Sequence, residues 1–425
     1  MLDLKLLREA PERVREALAK RGNKFDLDAL LQVEQQRRRL LTEIEQRRHE
    51  QKAASDAFGR SKDKTGGPPA RLKELSEQIK AQEQQLKQLD EQITSQAAYI
   101  PNVPHGSVPV GDATHNQIVR TIGAKAGHIF KPKTYLELGE SLGLFDFVRA
   151  AKISGTHFPL YRGLGARLER ALMTWMLDVH TKEHGYTEIF PPFLVNRASM
   201  FGTGQLPKFE EDMYRLTDDD LFLVPTAEVP ITNLYRDELL DEAQLPILHT
   251  GYTACFRREA GSYGKDTKGL IRVHQFDKIE LVKFTTPESS YAEHERLLTN
   301  AETILQRLGL HYRVVLLAAG DLGFSAAKCY DLEAWAPGLG QFLEVSSCSN
   351  FEDFQARRAN IRYRSSTTKK VSFVHTLNGS GVALARVVIA FLETHQQADG
   401  RVLVPEPLRP YLDGRAHLDT APDHR

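Results

Sequence analysis

FRREAGSYGKDTKGLIRVHQFDKIE, residues 256–280, reads as two antiparallel strands joined by a glycine-rich, basic loop. Arg257 and Glu259 form an Arg-x-Glu on the first strand, and Arg272 to Phe276 an Arg-x-x-x-Phe on the second. Gly261, Gly264 and Gly269 let the loop backbone bend and approach a ligand closely. Lys265, Lys268, Arg257 and Arg272 make the neighbourhood attractive to phosphate. Side chains alternate along a strand, so Arg272, His274, Phe276, Lys278 and Glu280 are expected on one face, with Val273, Gln275, Asp277, Ile279 and Leu281 on the other. Phe276 and Glu280 then lie about 13 Å apart, the span from an adenine ring to the side chain of an aminoacyl group joined through phosphate. By itself the stretch also fits a basic hairpin with a solvated face.

Four further segments surround it in the sequence. Upstream, a helix over roughly 162–184 places Leu164, Leu168, Leu172, Trp175 and Val179 on one stripe and leads through Gly185 into the short strand YTEIF and Pro191-Pro192. LVPTAEVPITNLY follows, where Thr226 and Glu228 either accept hydrogen bonds from an ammonium group or begin a helix as cap and first-turn acid. Downstream, QFLEVSSCSNFEDF sets Glu344, Ser346 and Ser347 at a strand end, oxygen donors suited to Mg²⁺ on bound phosphates. In HTLNGSGVALARVVIAFLE, Asn378 to Gly381 are expected to form a compact turn that opens an apolar helix. Arg386, on that apolar helix, needs a partner in a site.

Toward the N-terminus the pattern changes. After a short amphipathic helix, core positions recur at Leu30, Val33, Arg37, Leu40, Ile44, Arg47, Gln51 and Ala54, and again at Leu72, Leu75, Ile79, Gln82, Leu86, Leu89, Ile93 and Gln96. Gly66, Gly67, Pro68 and Pro69 reverse the chain between the runs, which predicts an antiparallel coiled-coil hairpin. Its outer surface carries Arg37, Arg38, Arg39, Arg47, Arg48, Lys52, Lys62 and Lys64 among glutamines. That suits a sugar-phosphate backbone as well as it suits a solvated dimerisation rod. Pro101, Pro104 and Pro109 mark the linker, dividing the chain into domains 1–110 and 111–425.

Composition sets the outer bounds. With 425 residues, 41% hydrophobic and 26% charged, the chain suits two domains with a large core. Lys+Arg and Asp+Glu both number 56, which argues against indiscriminate binding to polyanions and directs any nucleic-acid contact to local patches. Cys255, Cys348 and Cys329 form no C-x-x-C pair, so a disulfide framework is not expected, and small buried residues are favoured over zinc ligands. No stretch has the length and apolarity of a membrane span, and the N-terminus reads as no targeting segment, which points to the cytoplasm.

Three of these units stand in the order of the signature motifs of class II aminoacyl-tRNA synthetases. Gly185 to Leu194, with Pro192, resembles motif 1. Phe256 to Glu259 with Arg272 to Phe276 resembles motif 2. Gly379 to Arg386 resembles motif 3, with Ala383 where the general pattern has a third glycine. The N-terminal hairpin, the TAE loop and the LNGSG segment narrow the resemblance to seryl-tRNA synthetases of the bacterial type, over nearly the whole chain. It implies an α+β chain, a coiled-coil hairpin followed by an antiparallel sheet flanked by helices.

The resemblance also implies roles. Arg257 bridges the ATP α-phosphate and the serine carboxylate, Phe276 stacks on adenine, Glu259 contacts the adenine end, and Arg386 packs on the opposite face and reaches the γ-phosphate. Arg258, Arg272, Val273, Val345 and Ser346 complete the ATP set, with Glu344 and Ser347 as ligands of Mg²⁺ and phosphate. Serine falls to Thr226, Ala227, Glu228, Arg257, Glu280, Asn378 and Ser380, with Glu280 and Ser380 reading the hydroxyl. The hairpin would grip the long variable arm of tRNA(Ser) in a homodimer, the acceptor end would enter the cleft, and tRNA(Sec) would be serylated where present. An inhibitor-resistant duplicate would share the reaction. A ligase acting on a carrier protein is the nearest rival, and such homologues lack the hairpin.

Overall fold

Apolar residues recur every three to four positions through Leu27–Arg60 and Ala70–Ala97, with no proline inside either run, and both form single helices of 34 and 28 residues. At 1.5 Å per residue they extend about 51 and 42 Å. The computed structural model describes residues 1–60, 70–260 and 269–419. The reversal expected at 66–69, Lys62, Lys64, and the loop residues Gly261, Gly264, Lys265 and Lys268 lie outside the described residues.

Two short helices, α1 (Leu4–Glu9) and α2 (Pro11–Lys20), precede the long pair, α3 (Leu27–Arg60) and α4 (Ala70–Ala97). Every seam position read from the sequence is buried or half-buried, with Leu30, Ile44 and Leu75 each 1% exposed. Three of the polar seam positions are paired across the hairpin: Arg37 with Asp90 at 2.5 Å, and Arg47 with the Gln82 amide oxygen at 2.8 Å. Arg48 likewise meets Glu83 at 2.7 Å, and Arg38 meets Glu34 at 2.7 Å. The basic surface is therefore smaller than the sequence suggested, because two of its arginines are seam residues and others are neutralised by carboxylates. Arg39 and Lys52 remain exposed. Ile44→Ala is expected to cost the hairpin about 2–5 kcal/mol. Amide exchange should rise through α3 and α4 while staying unchanged in the sheet described next.

The chain forms two compact units, with Lys20–Gly22 joining the second, which otherwise runs from Asn102 onward. Asn102 Nδ2 donates to Ser325 O at 3.0 Å and Phe351 O at 2.8 Å, and Val108 packs with Val315 and Leu317. The segment 102–110 thus packs with the second unit.

That unit is built on eight strands: β1 (Gln117–Ile122), β2 (Thr187–Glu188), β3 (Ile247–Phe256), β4 (Gln275–Thr285), β5 (Tyr312–Leu316), β6 (Lys328–Ala336), β7 (Gln341–Asn350) and β8 (His375–Ala383). They lie in the order β1-β5-β6-β7-β8-β4-β3-β2, antiparallel except at β2–β3. Helices α5 (Leu164–Lys182), α6 (Glu228–Thr232), α7 (Ser290–Arg307) and α8 (Leu384–His395) accompany the sheet. Residues of α5, α7 and α8 share the main core with Ile279 and Leu281 of β4. The alternate residues, Lys278 and Glu280, point to the other side, so the pleat assigns one face to packing and the other to a site.

Two expectations are corrected here. Arg257–Glu259 and Arg272–His274 lie just beyond the ends of β3 and β4 rather than on them, although the Arg257 N–H still donates to His274 O at 2.9 Å. Asn378 to Gly381 belong to strand β8, not to a turn, and Arg386 lies in the first turn of α8. The glycines serve close packing. A side chain at Gly379 would collide with Leu297 of α7, and one at Gly381 would sit 2.9 Å from His180 Nε2 of α5.

Candidate active site

Strand pairing brings distant segments together. Ser380 of β8 lies opposite Glu280 of β4, whose other neighbour is Gly251 of β3. A cleft of about 710 Å³ opens on this face. Thr226, Glu228, Arg257, Glu259, Arg272, Val273, Phe276, Glu344, Val345, Ser346, Ser347, Asn378, Ser380 and Arg386 all line it. Arg272 and Val273 both face it, because strict alternation begins only inside β4. Three residues assigned to the site do not line it. Arg258 is exposed, its N–H donating to Asp212 O at 3.0 Å; Ala227 is fully buried in a core with Ile231; Glu280 lies beneath the wall, 0% exposed.

The inner end is a buried polar network. Thr226 Oγ1 donates to Glu280 Oε2 at 2.9 Å and also accepts the Glu228 N–H at 3.2 Å; the N-cap of α6 is Ala227 rather than Thr226, whose hydroxyl reaches the site. Asn378 Nδ2 bridges Glu228 Oε2 at 3.0 Å and Glu280 Oε1 at 3.2 Å. Lys278 forms an ion pair with Glu280. Burial, and then the charge of Glu280, push Glu228 up to about 7. The array offers carboxylates and hydroxyls at measured spacing, suited to a small molecule bearing an ammonium and a hydroxyl.

The outer part is cationic and aromatic. Arg257 Nε donates to Pro225 O at 3.3 Å, and its guanidinium lies 5.1 Å from the Phe276 ring centre. Glu259 adopts a left-handed φ of 51° and pairs with Arg272 at 3.2 Å. Arg386 donates to Glu344 O at 2.9 Å and meets the Glu344 carboxylate at 3.4 Å. The partner that the sequence required for Arg386 is therefore a residue of the same site.

Beneath Glu344 and Ser347 lies Asp331 of β6, directly opposite Ser347. Burial and the neighbouring Glu344 push its carboxyl up to about 8. Among the described residues, no three His, Cys, Asp or Glu side chains form a metal-ligand group. An ion here would rest on few protein ligands and on phosphate oxygens, the usual habit of Mg²⁺.

Sequence reasoning placed Lys278 on the right face but gave it no role; its position two residues before Glu280 was the available signal. Asp331 and Gln355, which lie behind the wall, carried none.

The sequence and the fold have close counterparts. Residues 208–395 match the tRNA synthetase class II core domain (G, H, P, S and T), and residues 1–104 match the seryl-tRNA synthetase N-terminal domain. The chain is 53% identical to the serine–tRNA ligase of Desulforapulum autotrophicum, covering 98% of both chains. It is 54% identical to that of Carboxydothermus hydrogenoformans, covering 97% of this chain and 98% of the other. The crystal structure of seryl-tRNA synthetase from Pyrococcus horikoshii complexed with ATP is similar with a TM-score of 0.92 and 40% identity, over 99% of this chain and all of that one.

Proposed function

Because the chain belongs to the seryl-tRNA synthetases, of class II, and so joins serine to tRNA at the expense of ATP, we propose that the cleft on β3, β4, β7 and β8 carries out both the activation and the transfer. The observation that carries this reading is the buried array of Thr226, Glu228, Asn378 and Glu280. Glu228 and Thr226 receive the serine ammonium, Ser380 and, from just beneath the wall, Glu280 receive its hydroxyl, and Arg257 holds its carboxylate.

Adenylation needs no enzymic nucleophile, since the serine carboxylate itself attacks the α-phosphorus. The chain aligns the reactants and offsets phosphate charge. Phe276 offers a stacking face for adenine, with Arg257 placed to serve the α-phosphate. Arg386 exchanges its bond to Glu344 for the γ-phosphate, which frees that carboxylate. Glu344 and Ser347 then fit Mg²⁺, one carboxylate and one hydroxyl facing the phosphate path. When bound, the ion neutralises charge on the departing pyrophosphate.

Arg258 and Ala227 are assigned backbone or outer contacts, in keeping with their positions. Residues 1–110 form the tRNA-binding domain, with 102–110 as its tether, and 111–425 the catalytic domain against which that tether packs. The hairpin grips the long variable arm of tRNA(Ser), the acceptor end enters the cleft, and tRNA(Sec) is charged where the cell makes it. The enzyme acts in the cytoplasm as a homodimer. Among the described residues no helix is long and apolar enough to cross a membrane.

ATP–pyrophosphate exchange with each amino acid in turn tests the core of this reading. Serine alone is expected to support exchange. Alanine should be rejected by up to about 10⁴-fold, because it leaves the hydroxyl-binding groups unpaired. Equal exchange with alanine or threonine would contradict the assignment.

A further inference from the structure

Gln355 sits behind the cleft in the short helix Phe354–Ala359, fully buried and absent from the cleft wall. Both ends of its amide are used. Nε2 donates to Glu228 Oε1 at 2.6 Å and to Thr203 O at 3.2 Å, while Oε1 accepts the Thr376 hydroxyl at 2.7 Å. Thr203 O can only accept, so it fixes which way the amide faces, and the Thr376 hydroxyl then donates to Oε1. One Glu228 oxygen is thus held by Gln355 and the other by Asn378, at 3.0 Å.

We propose that Gln355 is a positioning residue for serine recognition, locking the Glu228 carboxylate in the orientation that receives the substrate ammonium; this rests on the assignment of Glu228 to that group. A carboxylate on a flexible side chain gains directional precision only when its own rotamer is fixed, and a buried amide bonded on three sides supplies that rigidity. The link to Thr203 also ties the carboxylate to the segment running into Gly204 and Gln205 of the cleft wall.

The electrostatics give the proposal a second signature. Glu228 is faced by Glu280 and Lys278 from β4, by Arg257 beyond β3, and by Asn378 from β8. Burial and Glu280 favour its protonated form, and the Gln355 donor opposes them. Removing that donor raises the Glu228 pKa further, so the charged form that binds an ammonium is reached only at higher pH.

The experiment is serine-dependent ATP–pyrophosphate exchange on the full chain with Gln355→Met, a change that keeps the volume and removes the donor. The serine KM is expected to rise about tenfold or more, the value of a buried hydrogen bond to a charged group. The ATP KM and kcat should stay within about twofold. The pH midpoint of kcat/KM for serine should move upward, so that the defect shrinks as pH rises through about 7. If the Met variant lacks the parental thermal transition, Gln355→Asn, which keeps an amide too short to reach Glu228, carries the same expectations. Equal losses for serine and ATP, or a serine defect with an unmoved pH midpoint, would overturn the proposal in favour of a packing role. Glu228→Gln separates the two levels. An unchanged serine KM in that variant defeats the ammonium assignment itself, whereas a raised one beside a normal Gln355→Met defeats only the role of Gln355.

Discussion

Glu280→Ala is expected to lower serine-dependent ATP–pyrophosphate exchange by about 10²–10³-fold, the loss that follows when one preorganised polar group of a site is removed. The carboxylate is 0% exposed, accepts from Thr226 and Asn378, and pairs with Lys278. Alanine leaves two donors without an acceptor and a buried ammonium without its counter-charge. The damage stays local to the serine end. The aromatic and guanidinium groups assigned to ATP lie elsewhere in the cleft, with Phe276 four residues before Glu280 on β4 and Arg386 on α8. ATP affinity, read by fluorescence or calorimetry, should therefore change by no more than about threefold, because sites without shared partners behave independently. Glu280→Gln, which keeps shape and one acceptor, should fall between the parent and alanine. Undiminished exchange in the alanine variant would remove Glu280 from the hydroxyl site, and equal losses in ATP binding would mean that the cleft had collapsed.

Glu280 also illustrates what the sequence could and could not reveal. Its pairing with Phe276 and Lys278 on one face follows from period-two alternation, a property of any strand, and β4 obeys it from Gln275 onward. Arg272 and Val273 break the pattern because the chain there has left the ladder, and nothing local distinguishes a strand end from a strand. The coiled-coil seam was legible throughout, since heptad spacing fixes which residues meet. The pairing of Arg37, Arg47 and Arg48 was not, because it depends on which residues of the opposing helix stand beside them. The LNGSG segment misled for a definite reason. Glycine signals either a turn or a close approach of backbone to side chain, and only the tertiary positions of Leu297 and His180 decide between them. Gln355 was silent, because a buried amide acquires meaning from its three partners, which come from segments around 203, 228 and 376.

Deletion of residues 27–98 is expected to leave serine activation intact while charging of tRNA(Ser) falls by about 10²–10⁴-fold, the range lost when one of two linked attachment points is removed. The cleft is lined from residues 203 to 386, and the main core beneath it draws on residues from Tyr135 onward. Neither includes a residue of α3 or α4. Adenylation uses only serine and ATP, so it makes no demand on the hairpin. Transfer demands that the acceptor end of a large polyanion be held at the cleft, and a chain of zero net charge offers little general attraction for it. Of the cations that the sequence placed on the outer surface, Arg37, Arg38, Arg47 and Arg48 are paired, whereas Arg39 and Lys52 of α3 are exposed and described. Charge reversal at these two positions in the full-length chain should therefore reproduce part of the charging defect and flatten its dependence on salt, with exchange unchanged. Equal losses of exchange and charging in the deletion would show that the hairpin supports the catalytic fold. Undiminished charging would show that tRNA is held without it.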